Sequence, residues 1–98
     1  MYNEINIYNL NKILNEDINL IDIRNNYSFS KGTIKDAKNI EAIYLVKNPE
    51  KYLDKTQYYY IFCEHGSISR DLCVMLTQRG YKVINIIGGY SKYLEDSI

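Results

Sequence analysis

The sequence predicts an α/β fold: a central, mostly parallel sheet of four to five strands, flanked by helices on both faces. Three observations carry this expectation. Short apolar runs alternate along the chain with segments of helical spacing. The runs Leu20-Ile21-Asp22-Ile23, Tyr58-Tyr59-Tyr60-Ile61-Phe62 and Val83-Ile84-Asn85-Ile86-Ile87 are nearly continuous, as strands covered on both faces require. Turn signals fall at short intervals, with no repeat or linker between them.

Taken in order, Ile5-Asn6-Ile7 reads as a short first strand. Leu10, Ile13 and Leu14 are helix-spaced and predict a helix from about Tyr8 to Asn15. Leu20 to Ile23 reads as a central strand. Asn26 to Lys31 predicts a short helix closed by Gly32 as its C-cap. Ala37 to Ile40 suits a brief strand and Glu41 to Lys47 a helix. Asn48-Pro49 places a cap before a proline at the first helical position, so another short helix runs to Leu53. The strand Tyr58 to Phe62 follows. A helix from about Ser69 to Arg79 then presents Leu72, Cys73 and Leu76 on one face, and Gly80 ends it. Val83 to Ile87 is the last strand, and Gly88-Gly89 turns the chain into a final helix through Leu94.

The chain has 98 residues, enough for one domain over residues 1–98 with a single core. Twelve Lys and Arg balance twelve Asp and Glu, so the basic excess of a nucleic-acid-binding face is missing. No apolar run has the length of a membrane span. The start Met-Tyr-Asn-Glu-Ile lacks a basic and apolar signal segment, so a complete, cytoplasmic protein is expected. Two cysteines ten positions apart, with no CxxC pair, fit a reducing compartment better than a disulfide framework. With one histidine and no ligand spacing, no metal site is expected.

The chemistry concentrates at Cys63-Glu64-His65-Gly66-Ser67-Ile68-Ser69. This run leaves the end of a strand and enters the mouth of a helix, where free backbone N–H groups and the helix dipole favour an anion. Such a setting stabilises a thiolate and makes a nucleophile. A lone cysteine at a strand end is otherwise a packed core residue; the flanking Gly66 and Ser67 favour the reactive reading. Ligands of parallel sheets sit outside the carboxyl ends of the strands, and Cys63 lies at such an end.

Three segments resemble the rhodanese (sulfurtransferase) family. Leu20-Ile21-Asp22-Ile23-Arg24, with Gly32, Ile34, Ala37, Asn39 and Ile40, is similar to its D-x-R strand and the G-H-I-x-x-A-x-N-I stretch after it. Cys63 to Ser69 is similar to the active-site loop C-x-x-G-x-R-S. Gly80-Tyr81, Val83, Gly88-Gly89 and Tyr93 are similar to the closing G-Y…V…G-G-x-x-x-W. The three stand in the family's order and cover nearly the whole chain. The resemblance implies a rhodanese-like fold and a persulfide-forming nucleophile at Cys63. It implies substrate contacts from the loop residues Glu64, His65, Gly66, Ser67, Ile68, Ser69 and the following Arg70, and a bracing role for Asp22 and Arg24. No cofactor is implied. The partners would be a small sulfur donor, such as thiosulfate or a persulfide, and a thiol acceptor, small or protein, with neither nucleic acid nor membrane involved.

The departures bear on the substrate. Thr33 stands in place of the usual His, Lys35-Asp36 in place of Pro-Gly, and Tyr93 in place of Trp, all read as structural variation. Ile68 occupies the place of the loop arginine, whose charge would hold an anionic donor beside the sulfur. Arg70 replaces it only if its side chain folds back over the loop. Other readings therefore stand beside sulfur transfer. One is a non-catalytic or protein-specific sulfur-relay module. Another is a cysteine-loop phosphatase or arsenate reductase, disfavoured because Ser69 falls where the C-x5-R spacing needs arginine. His65 is a candidate base or a solvent-facing loop residue, and Cys73 a resolving thiol or, as its helix face favours, a core residue.

Overall fold

In a computed structural model, which describes residues 2–97, the strands and helices alternate as expected. The strands are β1 (Asn3–Ile5), β2 (Asn19–Asp22), β3 (Lys38–Asn39), β4 (Tyr58–Phe62) and β5 (Lys82–Ile86). They form one sheet in the order β1-β5-β4-β2-β3, and every neighbouring pair is parallel. The helices are α1 (Ile7–Ile13), α2 (Asn26–Lys31), α3 (Ala42–Lys47), α4 (Ser67–Gln78) and α5 (Gly89–Asp96).

Side-chain alternation along each strand divides the core into two layers. On β4, Ile61 joins Leu45 of α3 and Leu72 and Leu76 of α4 on one face. Its neighbour Phe62 joins Ile7 and Leu10 of α1 and Ile34 on the other. Ile21 and Val83 share the first face, Leu20 and Ile86 the second. Both faces are thus covered, which is why these strands are nearly continuous in apolar residues.

Most boundaries fall within two residues of expectation, and the shifts have local causes. The first strand ends at Ile5 rather than Ile7, because Asn6 caps α1: its side chain accepts the Asn9 N–H at 2.8 Å. Ile7 is therefore the first helical residue, buried against Leu10. The segment after Asn48 makes only a single 3-10 turn, Pro49–Lys51, rather than a helix to Leu53. Gly32 caps α2, its N–H donating to the Phe29 carbonyl. The last strand pairs one residue earlier than expected, at Lys82–Ile86.

Because all pairs are parallel, the segments after β2, β4 and β5 emerge at the same pole of the sheet. β4 lies between β5 and β2, so the turn after it is enclosed on both sides. Cys63 is the first residue of that turn.

Candidate active site

Cys63 directly follows β4 and is buried, at 4 % of full accessibility. The chain reverses through Glu64 and His65 to Gly66, whose φ of 100° is left-handed, a conformation glycine adopts without strain. Gly66 is the N-cap of α4, and its carbonyl accepts the Arg70 N–H at 3.1 Å, the first bond of the helix. The N–H groups of the first turn have no partner inside the helix. One of them, from Ser69, donates to Cys63 Sγ at 3.3 Å, and the Gly66 N–H donates to the same sulfur at 3.2 Å. Ser69 Oγ, fully buried, lies 3.3 Å from the sulfur. The helix starts two residues before its expected position, and this puts Ser69 in the first turn with its amide free.

A buried ion network holds the loop from the β2 side. Asp22 is fully buried at the end of its strand. Arg24 binds it through Nε and Nη2, at 3.1 and 2.7 Å, and reaches Glu64 Oε1 with Nη1 at 3.0 Å. Thr33 Oγ1 and the Arg24 N–H also donate to the Asp22 carboxylate, at 2.8 and 2.9 Å. The guanidinium stacks 4.2 Å over the Tyr90 ring. Burial disfavours the Arg24 charge, but the bonds to Asp22 and Glu64 outweigh it and raise its pKa further. Every buried polar side-chain atom among the described residues has a hydrogen-bond partner, so no polar atom of the network is buried unpaired.

The first turn of α5 holds the loop from behind. The Tyr90 N–H donates to the Cys63 carbonyl at 2.9 Å and the Ser91 N–H to that of Glu64 at 3.0 Å. Ser91 Oγ donates to Glu64 Oε2 at 2.9 Å and lies 3.1 Å from His65 Nδ1. With the serine hydrogen given to Glu64, the His65 ring supplies the hydrogen of that second contact.

The structure therefore brings Cys63, Gly66 and Ser69 together at one sulfur. Glu64 is turned to Arg24 and Ser91, and His65 to Ser91. Ser67 is exposed, and Ile68 stands 63 % exposed on the loop's outer face. Arg70 is not folded over the sulfur: it is exposed and its guanidinium pairs with the adjacent Asp71 at 3.4 Å. Cys73 is sealed in the core, and burial, with a smaller contribution from Cys63, pushes its thiol up to about 12. Among the described residues no cluster of His, Cys, Asp or Glu has the makings of a metal site.

Four contributors escaped the sequence reading: Thr33, Ser91, Tyr90 and Asn85. Thr33 stands in that reading only as a structural variation, and the signal for Asn85 is its place as a polar residue within an apolar run. It is 3 % exposed, and its Oδ1 lies 2.6 Å from Ser69 Oγ.

Comparison with known proteins agrees with this architecture. The family described as Rhodanese-like domain matches residues 7–96. A sulfurtransferase of Allochromatium vinosum is 34% identical over 92 residues, covering 91% of this chain and 85% of that protein. A tRNA uridine(34) hydroxylase of Acinetobacter baumannii is 33% identical over 93 residues, 87% of this chain but only 29% of the relative. Among solved structures, a rhodanese-related protein from Thermoplasma volcanium superposes with a TM-score of 0.87 at 25% identity, over 97% of this chain and 93% of that one.

Proposed function

The chain belongs to the rhodanese-like domain family, and from that premise we propose that it is a sulfurtransferase that carries sulfane sulfur as a persulfide on Cys63. One observation carries the reading: two main-chain N–H groups aim at the Cys63 sulfur from a loop at the carboxyl ends of a parallel sheet. Hydrogen bonds to a charged acceptor favour the charged form, and the mouth of α4 adds its dipole. The thiolate is the reactive species.

In the first half-reaction the thiolate attacks the outer sulfur of a donor. A bond forms between Cys63 Sγ and that sulfur, and the donor's S–S bond breaks with its electron pair on the leaving group. That group is a thiolate from a persulfide donor, or sulfite from thiosulfate. In the second, an acceptor thiolate attacks the outer sulfur of the Cys63 persulfide and returns Cys63 as a thiolate. No net oxidation occurs, and the two half-reactions predict ping-pong kinetics. The same two amides then face a sulfur that is charged at the start and the end of the cycle. Asp22 and Arg24 act as the brace that holds Glu64, and with it the loop.

The donor we favour is a persulfide rather than thiosulfate. Ile68 puts a hydrocarbon side chain at the loop's outer face, and Arg70 is engaged with Asp71. A second reading, a relay that exchanges sulfur with one protein partner, draws on a specific feature. Ile68 shares a shallow, largely apolar groove with Val46, Leu72 and Met75, and apolar surface of this kind favours a protein over a small dianion.

Incubation with a persulfide donor, followed by intact-mass analysis, tests the proposal. The expected result is a gain of one sulfur atom, located on Cys63 and absent from Cys63→Ala, which keeps its melting temperature. No gain with any sulfane donor would remove sulfur transfer as the function.

A further inference from the structure

Asn85 is a buried polar residue between Ile84 and Ile86 of β5, and the chemistry at Cys63 as set out above does not use it. Its amide reaches the reactive sulfur through one intermediary. Ser69 Oγ lies 2.6 Å from Asn85 Oδ1 and 3.3 Å from Cys63 Sγ, with the Gly66 carbonyl 3.2 Å away as a further acceptor. A hydroxyl has a single hydrogen to give. In the thiol form the order of donation is clear: Cys63 S–H donates to Ser69 Oγ, and Ser69 O–H donates to Asn85 Oδ1.

The thiolate cannot keep this arrangement. Once the sulfur has lost its proton to solvent, a Ser69 hydroxyl still aimed at Asn85 presents lone pairs to a negative sulfur. If the hydroxyl turns to the sulfur instead, Asn85 Oδ1 loses its donor. A half-turn of the amide resolves the conflict, because it puts Nδ2–H against Ser69 Oγ and frees the hydroxyl hydrogen for the sulfur. Asn85 has room for the exchange. It borders an open groove beside Tyr2, Glu4, Gly66 and Gly88, so the displaced carbonyl oxygen meets solvent rather than a dry wall.

We propose that Asn85 is a positioning residue for Cys63: its two-faced amide lets Ser69 accept from the thiol and donate to the thiolate. The inference rests on Cys63 being the nucleophile, and it makes the sulfur's third donor a hydroxyl whose direction β5 controls. Aspartate has the same shape but only acceptors, so it holds the Ser69 hydrogen away from the sulfur. Leucine has a similar volume with neither donor nor acceptor.

The test is a double-mutant cycle. Asn85→Asp and Asn85→Leu are made in the wild type and in Ser69→Ala. Melting temperature monitors the fold, and the rate of iodoacetamide alkylation of Cys63 at neutral pH is read by peptide mass. In the wild-type background Asn85→Asp is expected to slow alkylation roughly tenfold, the equivalent of one hydrogen bond to a charged group, and Asn85→Leu by less. In Ser69→Ala the Asn85→Leu effect shrinks to within about twofold, since the intermediary is gone, while Asn85→Asp keeps only the part its added charge exerts through space. Equal slowing by Asn85→Leu in the two backgrounds, or none in either, overturns the proposal. If Asn85→Asp does not fold, the Asn85→Leu arm decides by the same criterion. Because alkylation needs no sulfur donor, the cycle stands apart from the loading experiment: failure of loading with the cycle intact refutes sulfur transfer and leaves the Asn85 relationship in place.

Discussion

Gly89 passes directly behind Cys63. A Cβ built on Gly89 would overlap the Cys63 carbonyl oxygen and come within 2.9 Å of the Glu64 carbonyl group. Gly89 also has a φ of 61°, and the next residue, Tyr90, donates its N–H to that same Cys63 carbonyl. The Gly88-Gly89 turn is thus part of the reactive loop's geometry, though it lies 25 residues further along the sequence.

Gly89→Ala is therefore expected to displace the loop. The backbone at φ 61° and the overlap act together, for a loss of roughly 2–3 kcal/mol in denaturant unfolding. Sulfur loading of Cys63 falls with it. Gly80→Ala is the control. Its φ is 92°, but only the flexible end of Lys55 lies near the added methyl, so it costs about 1 kcal/mol and leaves loading intact. Equal effects on loading would show that the contact with Cys63 is immaterial.

Asp22 is the anchor of the brace, with Arg24 and Thr33 both donating to it. Asp22→Ala leaves a buried guanidinium half-paired and is expected to destabilise by about 3–5 kcal/mol. Thr33→Val removes one donor while keeping the volume, for about 1 kcal/mol. Chemical denaturation of the two variants checks the order. A Thr33→Val loss as large as that of Asp22→Ala would mean that the ion pair contributes little.

The two cysteines are expected to behave differently. In the native chain iodoacetamide should modify Cys63 alone, and both residues once the chain is unfolded. Cys73 also sets a pH dependence. Its thiol ionises near 9.0 when unperturbed and at about 12 in the fold. Between those values the unfolded chain has lost a proton that the folded chain keeps. Stability therefore falls as pH rises through that window, by up to about 1.4 kcal/mol per pH unit, and is untouched below it. Cys73→Ala should remove this part of the alkaline slope. Other groups titrate in both proteins and cancel in the difference, so identical alkaline slopes would count against the burial of that thiol.

Ile68→Arg restores a charge to the loop's outer face. One charge-assisted hydrogen bond to an anionic donor contributes roughly 1.5–3 kcal/mol, so kcat/KM with thiosulfate should rise about tenfold or more. Exchange with an uncharged persulfide should gain little. A variant with no gain on thiosulfate would show that the missing charge is not what limits that donor.

The sequence by itself determined the sheet, the alternation of its elements and the position of Cys63 at a strand end. Each of these follows from short-range rules: continuous apolar runs, capping residues, and glycines where a turn needs φ > 0. The same rules located the strand ending near Ile23 and the loop after β4, and the resemblance to the family marked Asp22 and Arg24 near that strand's end. What they could not supply was the partner of each polar group across the pole of the sheet. Asn85 had no assigned part in the site until β5, paired with β4, brought it to Ser69. Ser91 and Tyr90 gained a role only when α5 packed behind the loop. Hydrogen bonds act over about 3 Å, while Ser69 and Asn85 lie 16 positions apart and Arg24 and Glu64 lie 40. Folding alone closes that distance, so the packing of α4, α5 and β5 sets which groups surround the sulfur.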